Sequence, residues 1–251
     1  MYLIHYIQNA FKLIKRDMIL ITFGAFVLYM AVVLHFLLPW LNRYLAEQGF
    51  LPGQAVAHHF SHYYPVILSN FLLYTGALMG GAVFGFLILT EKDDNTLTAM
   101  LVSPISPRQY IQSRVIITAA ASFLIILFLF YGVTLELLPF GQMLLIALGG
   151  ALTGPLVMLY LAIMANSKLQ GMNYAKILSF VGFLIIIGYF IPEPFQWIFG
   201  LFPPYWVSKA YWAALDGGGF WYLYLTLGIV LQGAAILWLA KVFIRRVYRR
   251  V

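Results

Sequence analysis

Five stretches of this chain run for more than twenty residues without one Asp, Glu, Lys or Arg, and no other feature restricts its fold as strongly. A helix rises 1.5 Å per residue, so about 20 apolar residues cross a bilayer core of about 30 Å. Met18 to Asn42, Val115 to Leu135 and Gly217 to Ala240 each supply one span. Gln48 to Thr90 is longer, but Pro52, Gly53 and the polar residues 58–62 confine its span to Val66 through Leu89. Leu137 to Ser167 places another at about Gln142 to Ala165. A sixth run, Ile177 to Ile191, is short and must borrow the turn before Lys176, with that amine snorkelling outward, or cross a thin stretch of bilayer.

The remaining composition agrees. The chain is 63% hydrophobic and 9% charged, against about 45–50% and about 25% in soluble domains, which excludes an ordinary soluble enzyme. Its net charge of +7 does not point to nucleic acid, because the basic residues sit between apolar runs and share no folded face. The absence of Cys excludes disulfides and thiolate chemistry. The first apolar run is too long for a cleavable leader and no small-residue cleavage site follows it, so the first span is expected to remain.

Six spans put thirteen of the fifteen Lys and Arg on one side, leaving only Arg43 and Lys209 on the other. Lys and Arg are retained in the cytoplasm, so both termini are expected there. Before the first span, Leu3, Ile4, Ile7, Phe11 and Ile14 recur at helical spacing opposite His5, Gln8, Lys12 and Lys15. This predicts an amphipathic interfacial helix over residues 1–16. The expectation is an all-α integral membrane protein forming a single transmembrane domain over 1–251.

Residues 91–114 form the one cytoplasmic loop with internal grammar. Thr90 and Glu91 can start a short helix carrying Leu97, Met100 and Leu101, with acidic residues in its first turn. Ser103-Pro104 stops it. Ser106, Pro107 and Gln109 then make a capping box for the next helix. The alternative is a plain surface connector. On the outer side, residues 192–219 carry eight aromatic residues and four prolines, read as one or two short helices dipping back toward the membrane, serving as an anchoring belt rather than a gate. His58, His59 and His62 are weak metal candidates against a favoured reading as an exposed polar loop. Gly76, Gly80, Gly81, Gly85, Gly150 and Gly154 are read as close-packing positions, and Pro155 as a kink.

None of the spans holds an Asp, Glu, Lys or Arg near its middle, which disfavours an ion-coupled carrier using His35 or Glu136. There is no H-E-x-x-H, G-x-S-x-G or phosphate-binding G-x-x-x-x-G-K-[ST] motif, so no catalytic residue is assigned and the chain is expected not to be an enzyme. Energy for transport would enter from another protein. A passive membrane anchor or sensor is the alternative, disfavoured by the polar Asn70, Thr75, Thr134, Thr153 and Gln232 within the spans. Asn70, Tyr74, Tyr131 and Tyr160 are the candidate lining of a path suited to lipophilic or amphipathic substrates.

Asn95-Thr96-Leu97, the Ser103-Pro104 step, Tyr110 and Arg114, taken with Glu91, resemble the loop of the type-2 ATP-binding-cassette (ABC) export permeases. Asn95 stands where Gly is common in that family. The resemblance implies a permease, usually a homodimer, in a prokaryotic cell membrane, bound to two copies of a separate cytoplasmic ATPase that holds ATP and Mg²⁺; no cofactor is implied in this chain. It also implies that residues 1–16 are the family's elbow helix. Glu91, Asp93, Asp94, Thr96, Leu97, Met100 and Leu101 would belong to the coupling helix that the ATPase pushes.

Overall fold

The computed structural model describes residues 18–47, 60–94 and 106–248. The expected interfacial helix, His58, His59, and Thr96, Leu97, Met100 and Leu101 lie outside the described residues. Among those described, the chain forms α1 (Met18–Glu47), α2 (Phe60–Asp93), α3 (Pro107–Val133), α4 (Phe140–Met164) and α5 (Lys168–Phe190), then two short helices, α6 (Phe195–Leu201, of 3-10 type) and α7 (Pro204–Leu215), and finally α8 (Trp221–Tyr248). All are helices, and α1 to α5 and α8 are long and apolar enough to cross a membrane. The short fifth run is completed as expected. Its helix begins eight residues before Lys176, with the Ser167 side chain accepting from the Gln170 N–H, and Lys176 lies exposed.

Apolarity alone cannot sort these spans into inner and outer, because nearly every face is apolar. Small residues do. In the most apolar stretch, 89% of α2 and 67% of α4 is buried, against 22–28% for the other four spans. A Cβ on Gly81 would collide with the Gly154 carbonyl oxygen, and one on Gly80 would meet the Ser122 backbone at 3.2 Å. The glycines therefore bring α2 against α4 on one side and α3 on the other, closer than any larger residue permits. The outer helices surround this pair, and α2 touches α1, α3, α4, α5 and α7.

Three of the long helices are jointed: α5 at Gly182, between Lys168–Val181 and Phe183–Phe190, and α4 and α2. Pro155 has no N–H for the Ala151 carbonyl, and α4 divides at Leu152 into Phe140–Ala151 and Thr153–Met164. At the joint Gln232 of α8 donates to the Gly149 carbonyl at 3.2 Å and accepts from the Thr153 hydroxyl at 2.9 Å. A buried amide is thereby satisfied in the membrane interior, where an unpaired one would cost several kcal/mol. In α2, residues Ser69–Thr75 form a π-helical turn, and the Thr75 hydroxyl bonds to the Asn70 carbonyl at 3.0 Å.

Lys92, Arg108, Arg114, Lys168, Lys241, Arg245 and Arg246 mark one end of the bundle, here the basic end, and Arg43 and Lys209 the far end. From the far end, α6 and α7 fold back between the spans. The expected belt is only half right. Phe195, Trp197 and Leu201 of the α6 arm are exposed, whereas Tyr205, Trp206, Tyr211 and Trp212 of α7 are buried. The reason is polar. Each α7 ring finds a polar partner: Trp212 Nε1 donates to Ser69 Oγ (2.8 Å) and to the Pro65 carbonyl (3.2 Å) of α2 and Tyr211 to the Glu136 carbonyl (2.9 Å), while Trp206 and Tyr205 donate back to α6, to the Gly200 carbonyl (3.0 Å) and Gln196 Oε1 (3.2 Å).

Candidate functional site

Nothing breaks α2 between Gly85 and Asp94, so Glu91 does not start a new helix as the sequence suggested. It belongs to the last turn of α2, which closes with the Asp94 N–H on the Thr90 carbonyl at 2.9 Å. Three consecutive side chains of this turn reach three different helices. The Glu91 carboxylate accepts from the Tyr110 hydroxyl at 2.5 Å and from the Arg114 guanidinium, both on α3. Lys92 donates to the Ala162 carbonyl and, at 2.9 Å, to that of Ala165 at the C-terminus of α4. Those carbonyls lack helical donors, and a cation there also complements the helix dipole. Asp93 accepts from the Lys168 N–H at 3.2 Å, at the N-terminus of α5, where a carboxylate is favoured for the same reason. From α8, Arg246 donates to the Ile163 carbonyl at 2.6 Å.

Arg114 is 1% exposed and lies 4.9 Å over the Tyr110 ring. A charge this deep is tolerated only beside its opposite, and removing either partner would leave the other uncompensated. The pair joins the two helices from which residues 94–106 emerge. Ser106 fixes the second foot of this loop: its hydroxyl accepts from the Gln109 N–H at 3.2 Å, and the Gln109 side chain returns to the Ser106 N–H at 3.3 Å, the expected capping box.

A second feature lies deep between the helices. Phe202, at the apex between α6 and α7, packs on Tyr74 with ring centroids 5.4 Å apart. The Tyr74 ring lies against Gly182, and its hydroxyl donates to the Leu178 carbonyl at 2.6 Å, near the middle of α5. The apex therefore reaches about halfway through the bundle. Beneath it is a cavity of about 160 Å³ lined by Tyr74, Thr153, Tyr160, Leu178, Phe202 and Pro203 among others. Sites for drug-sized ligands span about 300–1,000 Å³, so this one is smaller than such a molecule needs.

Of the four path residues read from sequence, Tyr74 and Tyr160 share this cavity. Asn70, one turn above Tyr74, is buried, and its Oδ1 has no hydrogen-bond partner. Tyr131 lies apart, 46% exposed on α3. Among the coupling residues, Glu91 faces inward and Asp93 is engaged with α5, while Asp94 is exposed. His62 lies in a 3-10 turn, and among the described residues no group of three metal-ligating side chains occurs. Sequence reasoning gave no role to Lys92 and saw Arg114 only as part of a loop motif. Nothing local marks Arg114 as buried, because Arg43 and Lys241 adjoin charge-free runs in the same way and are exposed.

The model of the family described as "Fluoroquinolones export permease protein Rv2686c-like" matches residues 10–240. The chain belongs to this export permease family. Among curated proteins it is similar to the fluoroquinolones export permease proteins of two Mycobacterium tuberculosis strains, Rv2686c of H37Rv and MT2760 of CDC 1551, each 32% identical over 189 residues, covering 70% of this chain and 70% of the relative. No solved structure matches it. This permease is accordingly a multi-pass protein of the plasma membrane, in agreement with the ABC-type resemblance of its loop.

Proposed function

We propose that this permease is the membrane subunit of an ATP-driven exporter, working as a homodimer with two copies of a separate cytoplasmic ATPase on its basic end. ATP and Mg²⁺ are held by the ATPase, and this chain carries no cofactor. Its substrates are lipophilic or amphipathic molecules, and the fluoroquinolones named for its relatives are the first to test. The observation that carries the reading is the Glu91-Lys92-Asp93 junction. Because consecutive residues bond to α3, α4 and α5, a push on the loop that follows cannot tilt α2 alone. The direction in which the basic end faces the cytoplasm follows the distribution of Lys and Arg.

In the cycle that follows, ATP binding presses residues 94–106, the junction tilts four spans together, and the apex at Phe202 leaves Tyr74 so that the cavity widens. Asn70, Tyr74 and Tyr160 then face the substrate, Asn70 offering its unpartnered oxygen to a substrate donor. Asp94, together with Thr96, Leu97, Met100 and Leu101, is the surface offered to the ATPase. The test is fluoroquinolone accumulation in a drug-sensitive host expressing the permease with and without its ATPase. Lower accumulation only when both are present supports the reading. Equal accumulation in all strains removes the substrate class, and failure of the tagged permease to retain an ATPase in mild detergent removes the energy source.

A further inference from the structure

A larger recess, about 770 Å³, lies on the exposed side of α1 toward the far end, walled by Val32, His35, Phe36, Trp40 and Arg43, with Leu135 from the end of α3. Its depth is informative. From Val32, at the middle of α1, to Arg43 is eleven residues, or about 16 Å of helix, which is half of the roughly 30 Å hydrocarbon core. The recess therefore runs the depth of one leaflet. Its floor is apolar, with Phe36 68% and Trp40 57% exposed. At the top, Trp40 stacks on Tyr44 with centroids 5.4 Å apart, the placement of aromatic rings at the headgroup level. His35 Nδ1 contacts the Val133 carbonyl at 2.9 Å and fixes the wall between α1 and α3.

Arg43 lines this rim, and Glu47 stands beyond it on α1. Arg43 and Glu47 are one turn apart on α1, both exposed, and among the described residues they form no ion pair with each other or with any other group. Their separation along the axis is about 6 Å, the rise of four residues, comparable to the spacing between the phosphate and the amine of a phosphoethanolamine headgroup. The nearby exposed Glu136 adds a second negative charge, which disfavours a headgroup carrying only an anion. We propose that this recess is a specific site for one zwitterionic phosphoethanolamine lipid, its phosphate on Arg43, its ammonium on Glu47 and an acyl chain along Phe36 and Val32. The guanidinium suits a phosphate because it donates in a planar fork. A primary ammonium donates hydrogen bonds to a carboxylate, which the quaternary ammonium of phosphocholine cannot.

The test is native mass spectrometry of the full-length permease released from detergent in the presence of phosphatidylethanolamine, phosphatidylcholine or phosphatidylglycerol of equal chain length. The expected result is one lipid retained per chain, with phosphatidylethanolamine preferred. Arg43→Gln should lower its retention about tenfold, the worth of one charge-assisted hydrogen bond, and Glu47→Gln should remove the preference over phosphatidylcholine, about threefold for an exposed pair. Equal retention of the three lipids by the native chain, or no change in either variant, overturns the proposal. The chain has no native Cys, so a single Phe36→Cys substitution reports the competing occupant directly. Its ready oxidation to a disulfide-linked dimer in membranes would show that a second copy covers the recess and would also overturn the lipid site.

Discussion

At the basic end, neighbouring side chains of α2 reach α3, α4 and α5 through charged groups, whereas at the far end α7 is held mainly by indole and phenol groups bonded to backbone oxygens. The difference is mechanical. The Glu91–Arg114 pair is buried and cannot be broken without exposing an unpaired charge to a poor solvent. Each neutral bond of α7 contributes about 1 kcal/mol, so α7 can let go of them one at a time. A lever needs the first kind of contact and a gate the second. Among the described residues the far end has one ion pair of its own: Lys209 bonds to Glu193 at 2.5 Å and to Gln196 at 3.0 Å, but the Glu193 side chain is 58% exposed.

The contrast can be broken most severely at Arg114. Arg114→Met strands the Glu91 carboxylate and should cost roughly 3–5 kcal/mol, visible as a large fall in thermal stability in detergent. Adding Glu91→Leu should recover most of that stability without recovering export, which separates folding from coupling. Lys92→Met leaves the two α4 carbonyls without their donor and should cost about 1–3 kcal/mol, with loosened exchange protection at the C-terminus of α4. Trp212→Phe removes one indole N–H shared between two acceptors, worth about 1 kcal/mol, and its effect on amide exchange should appear in α7 and not in residues 88–94. Ser106→Ala should cost about 1 kcal/mol through loss of the cap, read as fraying of the first turn of α3. The smallest effect is ionic strength. Raising salt from 0.1 to 1 M shortens screening from about 10 to about 3 Å, which should weaken Lys209–Glu193 and leave Glu91–Arg114 unchanged by exchange or cross-linking.

The spans were readable from charge-free runs because a bilayer excludes the alternatives, and the cap at Ser106 was readable because its donors and acceptors are local. What escaped depends on contacts distant in sequence. The α2 and α3 runs are comparably apolar, so nothing local says that α2 is central, although its paired glycines pointed to close packing. Tyr74 and Tyr131 are the same residue type in similar surroundings of sequence; one closes a cavity against Leu178 and the other lies exposed. Trp212 resembles a belt residue until Ser69 and the Pro65 carbonyl are brought beside it. Glu91 resembles the start of a loop helix until Arg114, twenty-three positions later, neutralises it at the end of α2.

The most direct test compares export with ATP hydrolysis in proteoliposomes holding the permease and its ATPase, native against a Glu91→Leu, Lys92→Met, Asp93→Asn, Arg114→Met variant in which every junction charge is neutralised together. The account predicts that the variant still binds the ATPase and hydrolyses ATP while export per ATP falls at least about tenfold, a loss of about 1.4 kcal/mol or more in coupling. Export per ATP equal to that of the native protein would contradict it.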